Sequence, residues 1–473
     1  MRILLLLLGF PALLSAQEVI EVEEQTPLSA FQLFLLSGQD MRNGIENYRV
    51  TYTTTDAFGQ PDTASGLVCV PIDPDFVYPL GVYNHGTVAD PEAVPSRELV
   101  PERLLPQLMG GRGMLTVAPD YLGLGDSDGF HPYVHAATEA SAGRDMLIAV
   151  RAWLESNGRV VGSEVFVTGY SQGGHAAAAL HRELVDNPVP ALNVGAAAYL
   201  SGPYSISEVM LGTLFSDSLN TLPGYIAYTY VSYNAVYGFT DDLAEVFAEP
   251  YLTEVRLLDA GTTTLGEFNA ALEELLPAND HQLIDLFQDS VQQILRTRDT
   301  TTTVIQALID NDTYDWAPQE PTLIYYCTAD EQVPFQNALL ADSVMRANGS
   351  TEITLTNGGE LTHGGCVVPA FTAALEFFNP LIDIVPVSDR YLADGFAPIV
   401  FPNPVAAGGS LRFLEETTPQ SYEIHDSSGR RITGGLLTTA GTVRLPRDLP
   451  PGVYTLRLGY TEGTVSVHRF VCH

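Results

Sequence analysis

The sequence contains no lysine. Its 22 basic residues are all arginine, set against 57 Asp and Glu in 473 residues, for a net charge of −35. A nucleic-acid-binding surface needs a basic footprint, so this balance argues against that class. Salt adaptation and a GC-rich genome both account for an arginine-only, acid-rich chain, since net charge speaks to solubility and association rather than to fold. Cysteine is scarce: Cys69, Cys327, Cys366 and Cys472 stand at spacings that fit no zinc motif. No internal repeat is visible, which removes solenoids and propellers. Nor is there an apolar run long enough for a membrane span, which takes about 20 residues. The one candidate, Ile3 to Leu14, is interrupted by Gly9 and Pro11. With Arg2 before it and Leu14-Ser15-Ala16 after it, residues 1–16 read as a secretory signal peptide cut ahead of Gln17. Export to an oxidising compartment lets cysteines pair.

What is present is ample apolar material. At 45% hydrophobic residues the chain can bury a large core, and its length predicts two or three domains at about 150 residues each. Apolar runs predict strands at 48–54, 67–70, 80–84, 114–118, 164–168, 195–200, 322–327 and 353–356. Several are unbroken, as in strands buried on both faces of a parallel sheet. Helical spacing lies between them, at 138–154, 173–185 and 367–378, after a short helical lead-in at 28–36. The alternation predicts an open, mostly parallel α/β sheet. One stretch breaks it. Residues 203–318 read as mostly helical, including 265–275 and 282–295, with a tyrosine-rich segment at 225–237. This is an insertion between two strands, placed to cap one end of the sheet.

The last part reads differently. Beyond Phe396-Ala397-Pro398 come short alternating segments with turn signals, among them Ser428-Gly429 and Pro450-Pro451-Gly452. They predict a small all-β sandwich. From Pro398 onward 7 Arg face 6 acids, while the remainder holds 15 Arg and 51 acids, so the charge balance changes at the same place.

The chemistry centres on Gly169-Tyr170-Ser171-Gln172-Gly173, a G-x-S-x-G pattern with a strand before it and a helix after it. The turn holds serine in a strained conformation, and the flanking glycines spare neighbouring backbone from side chains. The following helix aims its N-terminus at the site, which favours developing negative charge. A serine nucleophile needs a base, and the base needs an orienting carboxylate, in the chain order Ser, acid, His. Asp330, just past the strand at 322–327, is the expected orienter, with Glu331 as runner-up. His363, expected in a flexible loop before the final helix, is the expected general base. The oxyanion donors are expected to be the N–H groups of Gln172 and Thr87, the latter in the loop Tyr83-Asn84-His85-Gly86-Thr87. His85 reads as a structural loop residue. His175, one helical turn past Ser171, points along the helix, and His131 and His135 read as packed or rim residues. Asp120 to Gly129 contains D-x-D-G but fails the calcium-loop spacing. It reads as a glycine-rich loop after a strand. No cofactor or metal is expected. Cys327 and Cys366 flank the acid and the base, which predicts a bridge between them, with two buried free thiols as the alternative.

Tyr83–Thr87, Asp120–Ser127, His131-Pro132-Tyr133, Gly169–Gly174 and Ser201-Gly202-Pro203 together resemble the secretory lipase family of α/β-hydrolases. The resemblance implies serine hydrolysis of carboxylic esters, with the helical cap inserted before the acid. Phe401-Pro402-Asn403-Pro404-Val405, Tyr422–Gly429 and Pro451–Leu456 are similar to the C-terminal sorting domain of the type IX secretion system. That implies a Bacteroidetes-like host, export across the outer membrane and removal of the tail. The domains expected are therefore 1–16 signal peptide, 17–397 hydrolase with cap, and 398–473 sorting domain. The expected partners are a small-molecule or lipid ester and the type IX machinery, without nucleic acid or a transmembrane anchor. Two rivals stand beside an exported esterase or lipase. One is a serine peptidase of the prolyl-oligopeptidase type, which the short N-terminal region leaves no room to supply with a propeller. The other is a degenerate hydrolase fold used for binding, which the filled acid, base and nucleophile positions argue against.

Overall fold

The computed structural model describes residues 17–88, 90–215, 222–278, 282–387, 400–413, 419–426, 430–437, 441–460 and 465–473. The signal segment 1–16, the boundary at 396–398 and the turn at Ser428-Gly429 lie outside the described residues. The chain forms two compact units. One takes in the chain up to Ile72, Pro79–Trp153 and Gly162–Ile382. The other takes Asp73–Tyr78, Leu154–Val161 and the chain from Asp383 onward.

The first unit is built on a sheet of β1 (Val19–Leu28), β2 (Ile45–Thr55), β3 (Pro61–Pro71), β4 (Phe76–Asn84), β5 (Leu115–Pro119), β6 (Val161–Tyr170), β7 (Asn193–Leu200), β8 (Thr322–Tyr326) and β9 (Ile353–Asn357). Their order is β1-β2-β3-β5-β4-β6-β7-β8-β9. The pairs β4/β5, β6/β7, β7/β8 and β8/β9 are parallel, and β1/β2, β2/β3 and β3/β5 antiparallel. Each of the eight expected strands is present. This is the hydrolase-like α/β fold, with α1 (Ala30–Ser37), α2 (Leu104–Gly111), α3 (Ala136–Ser156), α4 (Gln172–Asp186) and the helices Gln336–Ala347 and His363–Phe378 accompanying the sheet. The inward residues of β6 and β7 are apolar and fully covered, with Phe166, Ala196, Ala198 and Leu200 packed against Phe371 and Phe378 of the last helix. Burying such side chains contributes roughly 1.5–3 kcal/mol each for the larger ones.

Several elements differ from the expectation. β1 was not among the expected strands because its sequence, VIEVEEQTPL, places acids on both faces. It is an exposed edge strand, where charge protects against further pairing. α1 starts two residues later than its apolar pattern: Ser29 caps it, and Gln32 bonds back to the Ser29 N–H. α2 is hidden by Pro106 and the Gly110-Gly111 pair. The stretch 282–295 is not one helix but a short turn, Leu283–Leu286, followed by Asp289–Thr297. Phe287 and Gln288 are extended instead, because the Gln288 N–H donates to the Val246 carbonyl (2.7 Å). His363 is not in a loop. It is the first residue of His363–Phe378, which Thr362 caps by accepting the Gly365 N–H.

Between β7 and β8 lie the helices Gly224–Tyr237, Tyr251–Asp259, Leu265–Ala278, Asp289–Thr297 and Thr303–Asp310. They share a core of their own around Tyr233, Phe247, Phe268 and Leu272, which also takes in Tyr133 and Val134. In the second unit the tail forms two small antiparallel sheets. One contains Val400–Phe401, Ser410–Phe413 and Thr442–Arg444; the other orders Arg431–Leu436, Ser421–Asp426, Gly452–Gly459 and Val465–Cys472. Cys472 is buried in the tail core with Leu411, Ile424 and Phe470. Among the described residues no helix is long and apolar enough to cross a membrane.

Cys327, directly after β8, is bonded to Cys366 in the first turn of His363–Phe378, with Cα atoms 6.2 Å apart; Cys69 and Cys472 are buried free thiols. The bridge closes a sequence separation of 39 residues. By the chain-entropy argument such a cross-link is worth about 4 kcal/mol. Peptide mapping without reductant should therefore recover Cys327 and Cys366 in one linked species, and the double Cys→Ser variant should unfold at lower temperature. Recovery of both as free thiols would reject the bridge.

Candidate active site

β6 ends at Tyr170 and α4 begins at Gln172, which leaves Ser171 alone in the turn at φ 59°, ψ −122°. A non-glycine residue rarely adopts positive φ. Here the geometry demands it, because the chain reverses from strand to helix in one residue. The glycines are needed for space. A Cβ on Gly173 would collide with the Asn84 carbonyl oxygen, and one on Gly169 would meet the backbone of Gly173. Ser171 is held by its N–H, which donates to the Leu200 carbonyl of β7 (3.0 Å).

Three strand ends deliver the remaining groups. Asp330 follows β8, His363 follows β9, and Ser171 follows β6. The Ser171 Oγ lies 2.9 Å from His363 Nε2, and His363 Nδ1 lies 2.7 Å from Asp330 Oδ2. A carboxylate can only accept, so Nδ1 carries the proton and Nε2 presents its lone pair to the serine hydroxyl. Asp330 Oδ1 accepts the N–H groups of Gln332 (3.0 Å) and Val333 (2.8 Å), which aim the carboxylate. Glu331, the runner-up, has another place. Its Oε2 accepts the backbone N–H of His363 (3.0 Å). Burial is the largest influence on the Glu331 carboxylate and works against its charge, but the His363 N–H, its own backbone N–H, the Gln332 side chain and the nearby His363 ring together hold its pKa below the usual range. The Tyr170 hydroxyl donates to the His363 carbonyl (2.6 Å). His363 is thus clasped at both its N–H and its C=O.

The loop after β4 abuts Ser171: a Cβ on Gly86 would stand 3.8 Å from Ser171 Cβ. Glu102 accepts the Gly86 N–H (2.7 Å) and the Tyr83 hydroxyl (2.8 Å), and Thr87 Oγ1 pairs with the Tyr133 hydroxyl (2.9 Å). Among the described residues, the Thr87 and Gln172 N–H groups donate to no other protein group, so both remain available to a ligand. His85 is buried between the Gly86 and Asp120 carbonyls and serves the loop. His131 and His135 are buried rather than at a rim. Burial pushes the His131 pKa down to about 3, so the ring is neutral. Asp120 accepts from Ser65 Oγ (2.7 Å) and the Ser96 N–H (3.1 Å), a structural pairing. No His, Cys, Asp and Glu cluster suited to a metal occurs among the described residues.

A cleft opens over Ser171 and Gln172 and runs into the inserted helices, enclosing about 1170 Å³ with its open mouth. Its walls are Met210, Leu214, Tyr225, Tyr230, Phe287 and Leu295, among others, with Glu331 and Gln332 at the polar side. Of the tyrosines in the 225–237 segment, Tyr225, Tyr230 and Tyr233 line it. Tyr228 instead stacks on Tyr133 (4.7 Å between centroids), and Tyr237 on Phe239 (5.9 Å).

Residues 103–379 match the model of the secretory lipase family. Among solved structures, the chain is similar to a Legionella pneumophila protein assigned as a hydrolase: 26% identity, TM-score 0.69, covering 77% of this chain and 98% of that one. It is also similar to LipA of Xanthomonas oryzae, a rice cell wall degrading esterase: 26% identity, TM-score 0.65, covering 80% and 98%. Candida antarctica lipase A shares the fold at 15% identity and TM-score 0.54, over 76% of this chain and 82% of that one. A search of curated proteins gives no match.

The two neighbouring acids can be separated experimentally. Asp330→Asn puts the wrong hydrogen-bonding group against His363 Nδ1 and should lower kcat by about 10³–10⁴. Glu331→Gln keeps an acceptor for the His363 N–H and should lower it by no more than about ten-fold. Equal losses at the two positions would mean that Asp330 is not the orienting carboxylate.

Proposed function

For this chain, which belongs to the secretory lipase family and is a lipase/esterase-type hydrolase, we propose that Ser171 is the nucleophile that cleaves neutral carboxylic esters. The observation that carries the reading is the continuous line from Asp330 through His363 to Ser171, at 2.7 and 2.9 Å. His363 Nε2 takes the hydroxyl proton as Ser171 Oγ adds to the ester carbon. The tetrahedral oxyanion is met by the N–H groups of Gln172 and Thr87. His363 then gives its proton to the departing alcohol, and water releases the acid from the acyl-enzyme by the same relay. Oxyanion donors of this kind are each worth about 10²–10³ in rate.

The apolar walls of the cleft suit an acyl chain better than a charged group. The −35 net charge disfavours anionic surfaces and polyanions. Short-to-medium acyl p-nitrophenyl esters and tributyrin should be turned over, and peptides weakly or not at all. Ser171→Ala should fold and lose turnover by several orders of magnitude, at least about 10⁴. Unchanged ester hydrolysis in that variant sinks the nucleophile assignment. Cleavage of X-Pro peptides at least as efficient as that of any ester would move the enzyme into the peptidase class.

The domain reading is that residues 1–16 direct export, 17–397 hold the chemistry with 203–318 as cap, and 398–473 form a sorting domain for the type IX secretion system. The compact antiparallel tail with its own core, and the change of charge at its start, support this reading. Ile382 packs on the core of the first unit, so a truncation should fall after it. A chain ending at Asp383 should keep its esterase activity and accumulate in the periplasm of the native host. Normal export of that shortened chain overturns the sorting assignment; loss of activity in a folded protein gives the tail a part in substrate binding.

A further inference from the structure

Behind the nucleophile lies a charged cluster that the relay does not use. Glu139 of α3 and His175 of α4 are 1% and 0% exposed. Glu139 Oε2 lies 2.7 Å from His175 Nδ1, and Glu139 Oε1 accepts from Gln172 Nε2 (2.9 Å). The other face of the His175 ring, Nε2, meets the Asn311 carbonyl (2.8 Å). Both ring nitrogens thus face acceptors, which is the arrangement of an imidazolium. Burial is the largest influence and opposes that charge, but Glu139, the Asn311 carbonyl and the nearby Asp312 carboxylate together raise the His175 pKa. On the other side of the carboxamide, Gln172 Nε2 is 2.9 Å from His131 Nε2, while His131 Nδ1 donates to the Leu122 carbonyl (2.9 Å). His131 Nε2 is therefore an acceptor. With Glu139 and His131 both accepting, the two hydrogens of the Gln172 amide are both held, and its orientation is fixed by chemistry.

Gln172 is the first residue of α4, and its N–H has no acceptor within the helix. We propose that Glu139 and His175 are positioning residues: by anchoring the Gln172 side chain, they hold the Gln172 N–H where the oxyanion forms. The inference rests on the reading of Ser171 as nucleophile. The physical need is clear. An oxyanion donor acts only if it is in place before the charge develops, and a displacement of about 1 Å can lose about 10² in rate. A side chain tied at both amide hydrogens leaves its own backbone little freedom. The His175 ring, bonded at Nδ1 to Glu139 Oε2, aims the carboxylate so that Oε1 meets the Gln172 amide.

The test uses the full chain, with rates expressed per Ser171 titrated by a fluorophosphonate. Glu139→Ala should lower kcat for a p-nitrophenyl ester by about 10–100-fold, with KM within about three-fold. A trifluoromethyl ketone, to whose carbonyl Ser171 Oγ adds while its proton passes to His363, leaves an oxyanion in the same place. Its affinity should fall by the same factor as kcat/KM. Glu139→Gln can still accept from Gln172 and donate to a neutral His175, so it should restore kcat to within about five-fold of wild type. If Glu139→Ala does not fold, Gln172→Ala decides, because it cuts the tether and leaves the N–H in the chain: it should show the same fall in kcat. A lowered titratable fraction with unchanged kcat per site, a raised KM with unchanged kcat, or wild-type kcat in Gln172→Ala each overturns the proposal. Failure of the underlying reading looks different: Ser171→Ala would then retain turnover.

Discussion

The conformation of Ser171 governs the arrangement around it. At φ 59° it occupies a region that costs a non-glycine residue about 1–3 kcal/mol. The surroundings hold it there. β6 lies between β4 and β7, so the turn is anchored on both sides by the sheet. The Ser171 N–H is tied to Leu200, and the Ser171 carbonyl accepts from Gly174 (2.9 Å) and His175 (3.3 Å). The absence of side chains at Gly169 and Gly173 lets the Asn84 carbonyl approach, which brings the loop after β4 against the serine. Three other non-glycine residues at positive φ, Tyr121, Val134 and Ser201, lie around the same region, while Ala191 and Arg298 stand elsewhere among the described residues. Tyr121 donates to the His85 carbonyl, Val134 lines the cleft, and Ser201 contacts Cys366 Sγ. Strain concentrated where geometry must be held is the pattern expected of a reactive centre.

Two histidines on either side of Gln172 show how environment sets charge at nearly equal burial. His131 meets one acceptor, the Leu122 carbonyl, and one donor, the Gln172 amide, and stays neutral. His175 meets two acceptors, one of them a carboxylate, and holds a proton. His135 is nearby, and burial together with the His175 charge pushes its pKa down to about 4. Desolvation alone would neutralise all three rings. The hydrogen-bonding partners decide which one carries charge. An unpaired charge at this depth would cost several kcal/mol, so Glu139 and His175 are interdependent.

How much of this is legible in the sequence depends on how local the physics is. The elbow is legible because strand, glycine, serine, glycine and helix are contiguous. Asp330 and His363 are legible because chain order and strand ends restrict where an acid and a base can stand, and the fold brings both to Ser171. The place of Glu331 is not legible: its neighbour takes the ring while it takes the backbone N–H, a division set by how the turn after β8 faces the helix start. Thr362 was a readable cap, yet the glycines at 364 and 365 disguise a helix as a loop. The break at Phe287 depends on Val246, some forty residues away, and local periodicity cannot show it. Glu139 reads as an ordinary acid in a first helical turn and His175 as an ordinary helical residue. Only the packing of α3 against α4 brings them together with Gln172.

The site is braced reciprocally, and this explains why its parts lie on separate strands without drifting apart. Tyr170, adjacent to Ser171, grips the carbonyl of His363. Glu331, adjacent to Asp330, grips the N–H of His363. Cys327, three residues before Asp330, is bonded to Cys366, three residues after His363. Ser171 and Asp330 are therefore each tied to His363 through a chain neighbour. Parallel strands supply three chain ends on one edge, but a sheet alone fixes strands only to the precision of its hydrogen bonds, and the loops beyond them are free to vary. Backbone bonds at His363 convert loop residues into parts of a common frame. Its ring has Asp330 on one side and Ser171 on the other, so holding the His363 backbone from both ends fixes the direction of the ring between them.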